Sequence, residues 1–379
     1  MGAAMSAFRS AHSGAASAAA AVAACLAQLR AAGPLARPED ALGFVYASDG
    51  FAGELGRILA ALREGTGIAH WVGSLGMGVI ATGKEYFDEP ALAVMIAELP
   101  PGAFRVFPTI EASLERFLAA EGGWIREKQP SLALVHGDAG NVHLPHLLEA
   151  LSAEASSFLV GGLTSSRGAQ SQIADEVTTG GVSGVLFSSE VAVATGLSQG
   201  CSPIGASHTI SACRDNLLIE LDGRPALEVF KEDVRSVLPE GAAQAAGSFH
   251  AALPIPGSDT GDYLVRNLMG ADAARGWLAI GEIPTEGGKI IFCRRDGRSA
   301  KRDLEEMLSR LKARIGLKPR GAVYYSCVAR GPNLFGPDSA ELGLLRESLG
   351  ELPLVGFFCN GEISNARLYG YTGVLALFL

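Results

Sequence analysis

The sequence predicts an α/β protein made of two modules, each with mixed β-sheets covered by helices. Two patterns carry this prediction. A strand–helix–strand unit occurs three times, and between its copies apolar and polar residues alternate with the period of two that is typical of strands. The chain has 379 residues, too many for one ordinary core. Hydrophobic residues make up 48% and charged residues 19%, which argues against extended disorder.

The three copies span residues 42–79, 131–166 and 321–362. Each has an apolar strand, a polar loop, a helix with apolar residues at helical spacing, and a second strand that reaches a Val-Gly pair. Such a unit makes parallel neighbouring strands through a right-handed crossover, so both strand exits lie at one sheet edge. Ligands of open α/β sheets usually bind at that edge. One Val-Gly alone indicates a tight turn, but three with Gly-rich or polar sequels favour a shared pocket.

Other elements complete the predicted organisation. Residues 182–188 and 191–198 are expected to form a hairpin around Ser189-Glu190. An Ala-rich helix precedes the first copy and is stopped by Gly33-Pro34. A Pro-rich segment, Leu253–Gly257, suggests a domain boundary near 235–258. The predicted domains are therefore an N-terminal helix at 1–38 and two modules at 39–235 and 236–379.

Charge and cysteine content narrow the possible partners and the compartment. The net charge is −9 and no run of Lys and Arg appears, which argues against nucleic-acid binding. The six cysteines are scattered without a CxxC pair, as in a reduced cytosolic protein. Val22–Cys25 superficially resembles a lipoprotein cleavage site, but no strong apolar centre follows several positive charges. We therefore expect a cytoplasmic protein without membrane insertion.

Several short motifs, taken in order, resemble one family. They are Leu197–Gly205, Leu221–Ala226, Arg294–Asp296, Ser326–Gly331, Leu334–Gly336 and Gly356–Ile363. Together they identify the chain as similar to the FIST family over roughly residues 40–370. The resemblance implies a FIST N-terminal domain at 39–235 and a FIST C-terminal domain at 236–379.

This resemblance also implies a function. Family members are regarded as intracellular sensors that bind small ligands such as amino acids, and eukaryotic relatives carry an F-box. Fused members carry signalling outputs, whereas this sequence ends at Leu379 soon after the FIST region. We therefore expect a small-ligand-binding protein that signals through a separate partner protein.

The strand exits and the Gly-rich motif supply the candidate ligand residues, which we expect to line one pocket from both modules. Arg330 suits a ligand carboxylate, or it bridges to Glu362 inside the protein; Glu362 suits an ammonium group, or it caps backbone. Gly200 and Gly205 are expected to bracket a turn that offers backbone N–H groups. The full set is Gly161, Gly162, Thr164, Gln199, Gly200, Cys201, Gly205, Arg330, Asn360, Gly361 and Glu362.

Three alternatives stay open beside this prediction. Non-covalent haem b, as in a family subgroup similar to nitric-oxide sensors, would need an axial histidine, for which His208 and His250 are candidates. Cys201 could act as the nucleophile of a hydrolase if His208 or another base activated it. His136, His143 and His146 lie near Asp138 and could hold zinc, although a plain helix start explains them better. The expected protein has no metal, no cofactor and no catalytic residue.

Overall fold

The structure, a computed structural model, describes residues 8–237, 248–255 and 262–379. The chain forms two compact units: unit 1 comprises residues 1–198 and 304–379, and unit 2 comprises residues 199–303. Unit 2 is thus a continuous segment inserted into unit 1. The predicted limit at 235/236 falls inside unit 2, and the predicted domain limits stay a prediction. Part of the Pro-rich segment, Pro256 and Gly257, lies outside the described residues.

Helices and strands together confirm the predicted α/β class. The helices of the described residues are α1 (Ala18–Ala31), α2 (Leu55–Thr66), α3 (Glu115–Lys128), α4 (Leu144–Ala155), α5 (Ala226–Val237), α6 (Gly297–Arg314) and α7 (Ala340–Leu349). In α1, the Ser17 side chain caps the first turn by accepting a hydrogen bond from the backbone N–H of Ala20. In α2, the four residues at the predicted spacing, Leu55, Ile58, Leu59 and Leu62, are the buried ones.

Unit 1 contains three six-stranded sheets. The first is formed by β1 (Phe8–Ser13), β2 (Ala41–Ser48), β3 (His70–Gly76), β6 (Leu92–Glu98), β10 (Gln172–Ala174) and β11 (Glu176–Thr178). The second is formed by β7 (Phe104–Ile110), β8 (Leu132–Gly137), β9 (Phe158–Leu163), β12 (Val182–Phe187), β23 (Glu362–Ser364) and β24 (Arg367–Tyr369). The third is formed by β4 (Gly78–Ala81), β5 (Lys84–Phe87), β13 (Val193–Ser198), β21 (Gly321–Cys327), β22 (Leu354–Cys359) and β25 (Gly373–Phe378).

The repeat found in the sequence is the centre of a longer one. Each copy runs strand, helix, strand, helix and then four strands, from β1 to β6, from β7 to β12 and from β13 to β25. In every sheet the strand order of a copy is the same, for example β1-β6-β2-β3 in the first. Unit 2 lies within the third copy, after β13, and includes the first residues of α6. Unit 1 is therefore three copies of one eight-element fold, the third of them interrupted.

The copies exchange hairpins in a cycle. The hairpin β4–β5 of the first copy pairs with β22 of the third, β23–β24 of the third pairs with β9 of the second, and β10–β11 of the second pairs with β3 of the first. Each hairpin completes the sheet of another copy and covers its exposed edge. The Gly-rich segments after the second strands are therefore links that carry the chain from one sheet to the next.

Each copy holds one parallel strand pair, as predicted: β2 with β3, β8 with β9, and β21 with β22. The glycine of each Val-Gly pair lies inside the second strand of the parallel pair, so none of the three forms the tight turn that one such pair alone would indicate. A Cβ atom there would overlap the carbonyl oxygen of the residue opposite. The opposed residues are Val45 and Gly73, Val135 and Gly161, and Tyr324 and Gly356. Glycine permits this close approach in all three copies.

The three sheets share one core. Side chains such as Phe44, Leu134 and Phe357, one from each sheet, belong to a single buried apolar cluster. The other face of each sheet is covered by two helices of its own copy: α1 and α2, α3 and α4, and α6 and α7. Unit 1 thus buries both faces of its sheets, which is why its strands are continuous apolar runs in the sequence.

Unit 2 is a closed antiparallel barrel. Its strands are β14 (Cys201–Arg214), β15 (Leu217–Leu221), β16 (Arg224–Pro225), β17 (Phe249–Pro254), β18 (Tyr263–Asp272), β19 (Trp277–Ile280) and β20 (Lys289–Arg295). The order β14-β20-β17-β18-β19-β15 closes through pairing of β14 with β15. Side chains including Ile204, Phe249 and Phe292 fill its core together with residues of α5.

Two expected local structures are wrong. The strands at 182–188 and 191–198 do not form a hairpin, because β12 pairs with β7 and β8 whereas β13 pairs with β25 in another sheet. The turn expected between Gly200 and Gly205 is the start of β14, which pairs with β20. The register shifts after Ile204, where Gly205 has a φ of +66°, so this glycine marks a β-bulge.

The shared glycine position yields a stability prediction. We expect Gly161→Ala or Gly356→Ala to lower the free energy of unfolding by about 3 kcal/mol, because the added methyl group forces the parallel strands apart. The matched control is Gly56→Ala in α2, where a Cβ meets nothing within 4 Å. Alanine there is expected to be neutral or to stabilise by up to about 1 kcal/mol. Chemical denaturation followed by circular dichroism measures both; equal effects at the two kinds of position would contradict the close-approach argument.

Candidate functional site

The expected ligand residues fall into two groups, one in each unit. Gly161, Gly162, Thr164, Arg330, Asn360, Gly361 and Glu362 belong to unit 1, whereas Gln199, Gly200, Cys201 and Gly205 belong to unit 2. Their role in ligand binding stays a prediction for both groups. The unit 1 group gathers where the second and third copies meet.

Two of the links lie side by side there. The backbone N–H of Leu163 donates to the carbonyl oxygen of Gly361 at 2.8 Å, and that of Asn360 donates to Leu163 at 3.0 Å. Thr164 donates its backbone N–H to Gly137 at 2.9 Å, and its hydroxyl contacts that of Ser74 at 3.0 Å. Residues at or near the strand exits of all three copies are therefore joined by hydrogen bonds.

Glu362 is the buried acid of this region. It lies on β23 opposite Gly162 of β9, and its side chain has no solvent exposure. One carboxyl oxygen, Oε2, accepts hydrogen bonds from the backbone N–H and the hydroxyl of Thr372, at 3.0 and 2.8 Å. The other oxygen, Oε1, has no hydrogen-bond partner of normal geometry among the described residues, and the only other donor close to the carboxyl group is the weakly donating Cys327 thiol.

Burial raises the pKa of Glu362 to about 8, although Thr372, the Arg330 charge and the Cys327 thiol each act to lower it. The carboxyl group is therefore mostly protonated near neutral pH. A neutral acid in a buried site keeps one O–H donor and one open acceptor, so it can bind a polar group without a permanent buried charge.

Two thiols flank Glu362. Cys327 and Cys359 are directly opposite each other on the parallel strands β21 and β22, and the Cys359 sulfur lies against the Cα atom of Gly162. Burial raises the pKa of both thiols, and the nearby Glu362 raises them further. Both stay in the protonated form, which is a poor nucleophile.

Arg330 is held inside the protein by another acid. Its guanidinium is fully buried and pairs with Glu341, with Nε to Oε1 at 2.8 Å. It also donates to the carbonyl oxygen and hydroxyl of Ser198. Glu341 in turn accepts hydrogen bonds from Tyr324 and from the backbone N–H of Gly331, at 2.6 and 2.9 Å. The ion pair that Arg330 forms is therefore with Glu341 and not with Glu362, which was the alternative considered from the sequence. The positive charge of the guanidinium is already neutralised inside the protein.

A third buried acid, Glu85, completes this group. It lies on β5 of the exchanged hairpin, and its Oε1 accepts the backbone N–H of Leu342, in the first turn of α7, at 3.0 Å. Burial raises the pKa of Glu85 to about 7, and the negative charge of Glu341 adds to the effect. Glu85, Glu341 and Glu362 therefore act with Arg330 as a group of three buried acids and one base, which we name the acid cluster.

A second buried polar group was missed at the sequence level. Tyr46, His136 and Tyr325 occupy the same position on the first strand of each parallel pair, one residue after the residue that faces the glycine. The Tyr46 hydroxyl contacts His136 Nε2 at 3.1 Å and the Tyr325 hydroxyl at 2.7 Å. Aligning the three copies by their Val-Gly pairs would have shown that these residues are equivalent.

His136 is neutral in this group and does not join the other two histidines of the zinc alternative. Burial lowers its pKa to about 3, and its Nδ1 has no partner among the described residues. His143 and His146 are exposed at the start of α4. Within the described ranges no three His, Cys, Asp or Glu side chains form a metal-binding group.

The unit 2 residues start β14. The backbone N–H of Gln199 donates to Asp303 at 2.6 Å, and the carbonyl oxygen of Cys201 accepts the Tyr263 hydroxyl at 2.5 Å. Cys201 is buried and contacts the thiol of Cys293. That contact and burial raise the pKa of Cys293, so this thiol also stays protonated.

Comparison with known proteins places this architecture in a family. The FIST N domain model matches residues 41–224 and the FIST C domain model matches residues 226–365. The chain belongs to the FIST family. An uncharacterized protein of Mycobacterium tuberculosis, Rv0628c, is 29% identical over 368 residues, which are 93% of this chain and 95% of the relative. An uncharacterized protein of Mycobacterium bovis, Mb0898c, is 33% identical over 214 residues, 54% of this chain and 55% of the relative.

FIST domains are sensory, ligand-binding signal-transduction domains, and the family is not known for enzymatic activity. The FIST N match begins at β2 of the first copy, covers the second copy and reaches β16 in the barrel, while the FIST C match covers the rest of the barrel and the third copy from α6 to β23. In the described part of this FIST protein, no helix is both long and apolar enough to cross a membrane.

Of the two candidate axial ligands for haem, His208 is poorly suited to bind iron. Both ring nitrogens of His208 contact carboxylates, Nδ1 with Asp222 at 2.7 Å and Nε2 with Asp233 at 3.0 Å. Burial acts to lower the pKa of His208, but these two carboxylates outweigh it and raise the pKa. An imidazole with both nitrogens engaged has none left for iron. Burial lowers the pKa of His250, which keeps that imidazole neutral.

The raised pKa of Glu362 predicts a pH-dependent stability. The folded state holds a proton that the unfolded state releases above about pH 4.5, so this contribution to stability is complete below that pH. It is lost as the pH rises through about 8. We expect Glu362→Gln, which stays neutral, to gain thermal stability relative to the natural protein over this window.

Thr372→Val is the second variant of this test. It removes the hydroxyl that binds Oε2, and we expect it to move the loss of stability to higher pH. Thermal midpoints recorded from about pH 5 to about pH 9 compare the three proteins. Parallel curves for Glu362→Gln and the natural protein would show that Glu362 carries no proton.

Proposed function

We propose that this FIST protein is an intracellular sensor whose small polar ligand, an amino acid or a similar metabolite, binds in unit 1 at Glu362. The observation that carries the proposal is Glu362 Oε1, a fully buried carboxyl oxygen without a hydrogen-bond partner among the described residues. An unsatisfied buried polar atom costs about 1–3 kcal/mol. A ligand that donates a hydrogen bond to Oε1 removes this cost.

The surroundings support a small, polar occupant. Gly162 lies opposite Glu362 on β9, and Gly361 precedes Glu362 in the chain, so neither neighbour adds a side chain beside the carboxyl group. Asn360, two residues before Glu362, is exposed, so solvent lies near the buried acid. The remaining expected residue of this group, Thr164, already uses its hydroxyl within the protein. Small polar metabolites suit such a site better than a large flat apolar group does.

The position of Glu362 also suits a sensor. It pairs with Gly162 of the second copy while it belongs to the third, and it follows the link at Asn360-Gly361. A ligand that shifts this link acts on the exchanged hairpin β23–β24 and therefore on two sheets at once. We propose that a separate cytoplasmic signalling protein reads this change.

A hydrolase finds less support. The thiols of Cys293, Cys327 and Cys359 stay protonated through burial. Cys201, the thiol considered for nucleophilic attack, lies in unit 2 beside Cys293 and is buried. A nucleophile also needs a base within hydrogen-bond reach, and His208 is engaged by two aspartates.

Ligand screening tests the proposed site. We expect a thermal-shift screen of amino acids and small organic acids to give stabilising compounds, because a ligand of the folded state raises the midpoint with concentration. In Glu362→Gln, we expect that the same rise in the thermal midpoint requires at least about ten times the concentration of such a compound.

Glu98→Gln is the matched control. Glu98 is another buried acid of unit 1, but its Oε1 accepts the backbone N–H groups of Ala36 and Arg37. This variant should keep the full ligand shift, even with a lower midpoint. Arg330 is unsuited to the same test, because removal of one partner of a buried ion pair costs about 3–5 kcal/mol by itself. A ligand that stabilises Glu362→Gln to the same extent as Glu98→Gln would show that the binding site is not at Glu362.

A further inference from the structure

The acid cluster bears on the chemical class of the ligand. A zwitterionic amino acid would need a cation for its carboxylate, and Arg330 is the sequence-level candidate. Its guanidinium has no exposure, and its Nε and Nη2 both lie 2.8 Å from the Glu341 carboxylate. The charge that a ligand carboxylate would use is therefore already balanced inside the protein.

The acid cluster contains more acids than cations. Glu85, Glu341 and Glu362 are buried with Arg330, and Arg330 lowers the pKa of both Glu85 and Glu362. Were all three acids ionised, the group would carry two uncompensated negative charges. A further carboxylate, brought by a ligand, would add to this excess of negative charge, whereas a cation would reduce it.

We propose, on the basis of the function proposed above, that the group recognised at Glu362 is the ammonium of an amine and that the ligand needs no carboxylate. The open acceptor Oε1 receives an N–H of the ammonium, and Oε2 keeps its two hydrogen bonds from Thr372. The ion pair replaces a neutral acid, so the ligand brings the cation that the cluster lacks.

Proton balance follows from the groups around Glu362. They are Cys327 on β21, Cys359 on β22, Arg330 after β21 and Tyr369 opposite on β24; β9 contributes only Gly162. Burial raises the pKa of both thiols, which therefore stay protonated. The amine arrives as R–NH3+, the carboxylic acid loses its O–H proton to solvent, and the N–H groups of the ligand stay intact. One proton is released for each ligand bound.

Paired probes separate the two charges of an amino acid. Amino acid amides keep the ammonium and lack the carboxylate, whereas N-acetyl amino acids keep the carboxylate and lack the ammonium. Isothermal titration calorimetry in phosphate and in HEPES, which differ in ionisation enthalpy and carry no primary amine, gives the number of protons released. We expect an amide to bind, to release about one proton near pH 6.5, and to bind up to about tenfold more tightly per pH unit up to about pH 7. Above that pH the α-ammonium group of the amide, whose ordinary pKa is about 7.7–8.0, itself begins to lose its proton.

Two variants test whether the released proton comes from Glu362. Glu362→Gln should weaken the amide by at least tenfold and abolish proton release, whereas Glu98→Gln should retain both. N-acetyl amino acids that bind as tightly as the amides, or amide binding without proton release, would overturn the inference. If carboxylates without an amine bind and Glu362→Gln abolishes them, the proposed function stands and this inference fails. If neither probe class nor the wider metabolite screen binds, the proposed function itself fails.

Discussion

The burial of three carboxyl groups with a single guanidinium is the constraint on which the rest of unit 1 depends. Glu341 joins β21, the turn at Gly331 and helix α7 through its bonds to Tyr324, Gly331 and Arg330. Glu85 fastens the hairpin of the first copy to the start of α7. With Arg330 neutralised by Glu341, Glu362 is left as an acid that is more stable with its proton. The burial that raises its pKa without a cation beside it also makes a cationic group the most suitable ligand.

Threefold repetition explains why this acid lies where two copies meet. A glycine at one position of the second strand of each parallel pair lets the two strands approach closely, and side chains from all three sheets pack into one shared core. Exchange of hairpins then ties each copy to the next through the strand-exit links. A displacement of one link therefore displaces strands of two sheets, which is the kind of coupling that the proposed sensor needs.

Much of this was predictable from the sequence, and the failures have physical causes. Apolar spacing predicted α2, α4 and the parallel pairs, because those residues face only their own sheet. The hairpin expected at Ser189-Glu190 failed because alternation reports a half-buried strand and not its partner, and β13 pairs with β25, which lies at the other end of the third copy. Glu362 was singled out from the sequence as a ligand residue, and that role stays a prediction. The partner of Arg330 was not foreseen, since Glu341 looks like an ordinary residue of an amphipathic helix. The Tyr46, His136 and Tyr325 group required alignment of the copies.

The central claim is that Glu362 is a protonated, buried acid near neutral pH. Infrared difference spectroscopy tests it most directly, because a protonated carboxyl group has a carbonyl stretch that a carboxylate lacks. The account predicts that this band is present in the ligand-free protein at about pH 6, is absent from Glu362→Gln, and disappears as the pH rises through about 8. Glu85→Gln distinguishes the other raised acid, whose band should fade near pH 7. A natural protein and a Glu362→Gln variant with identical carbonyl bands at about pH 6 would contradict the account.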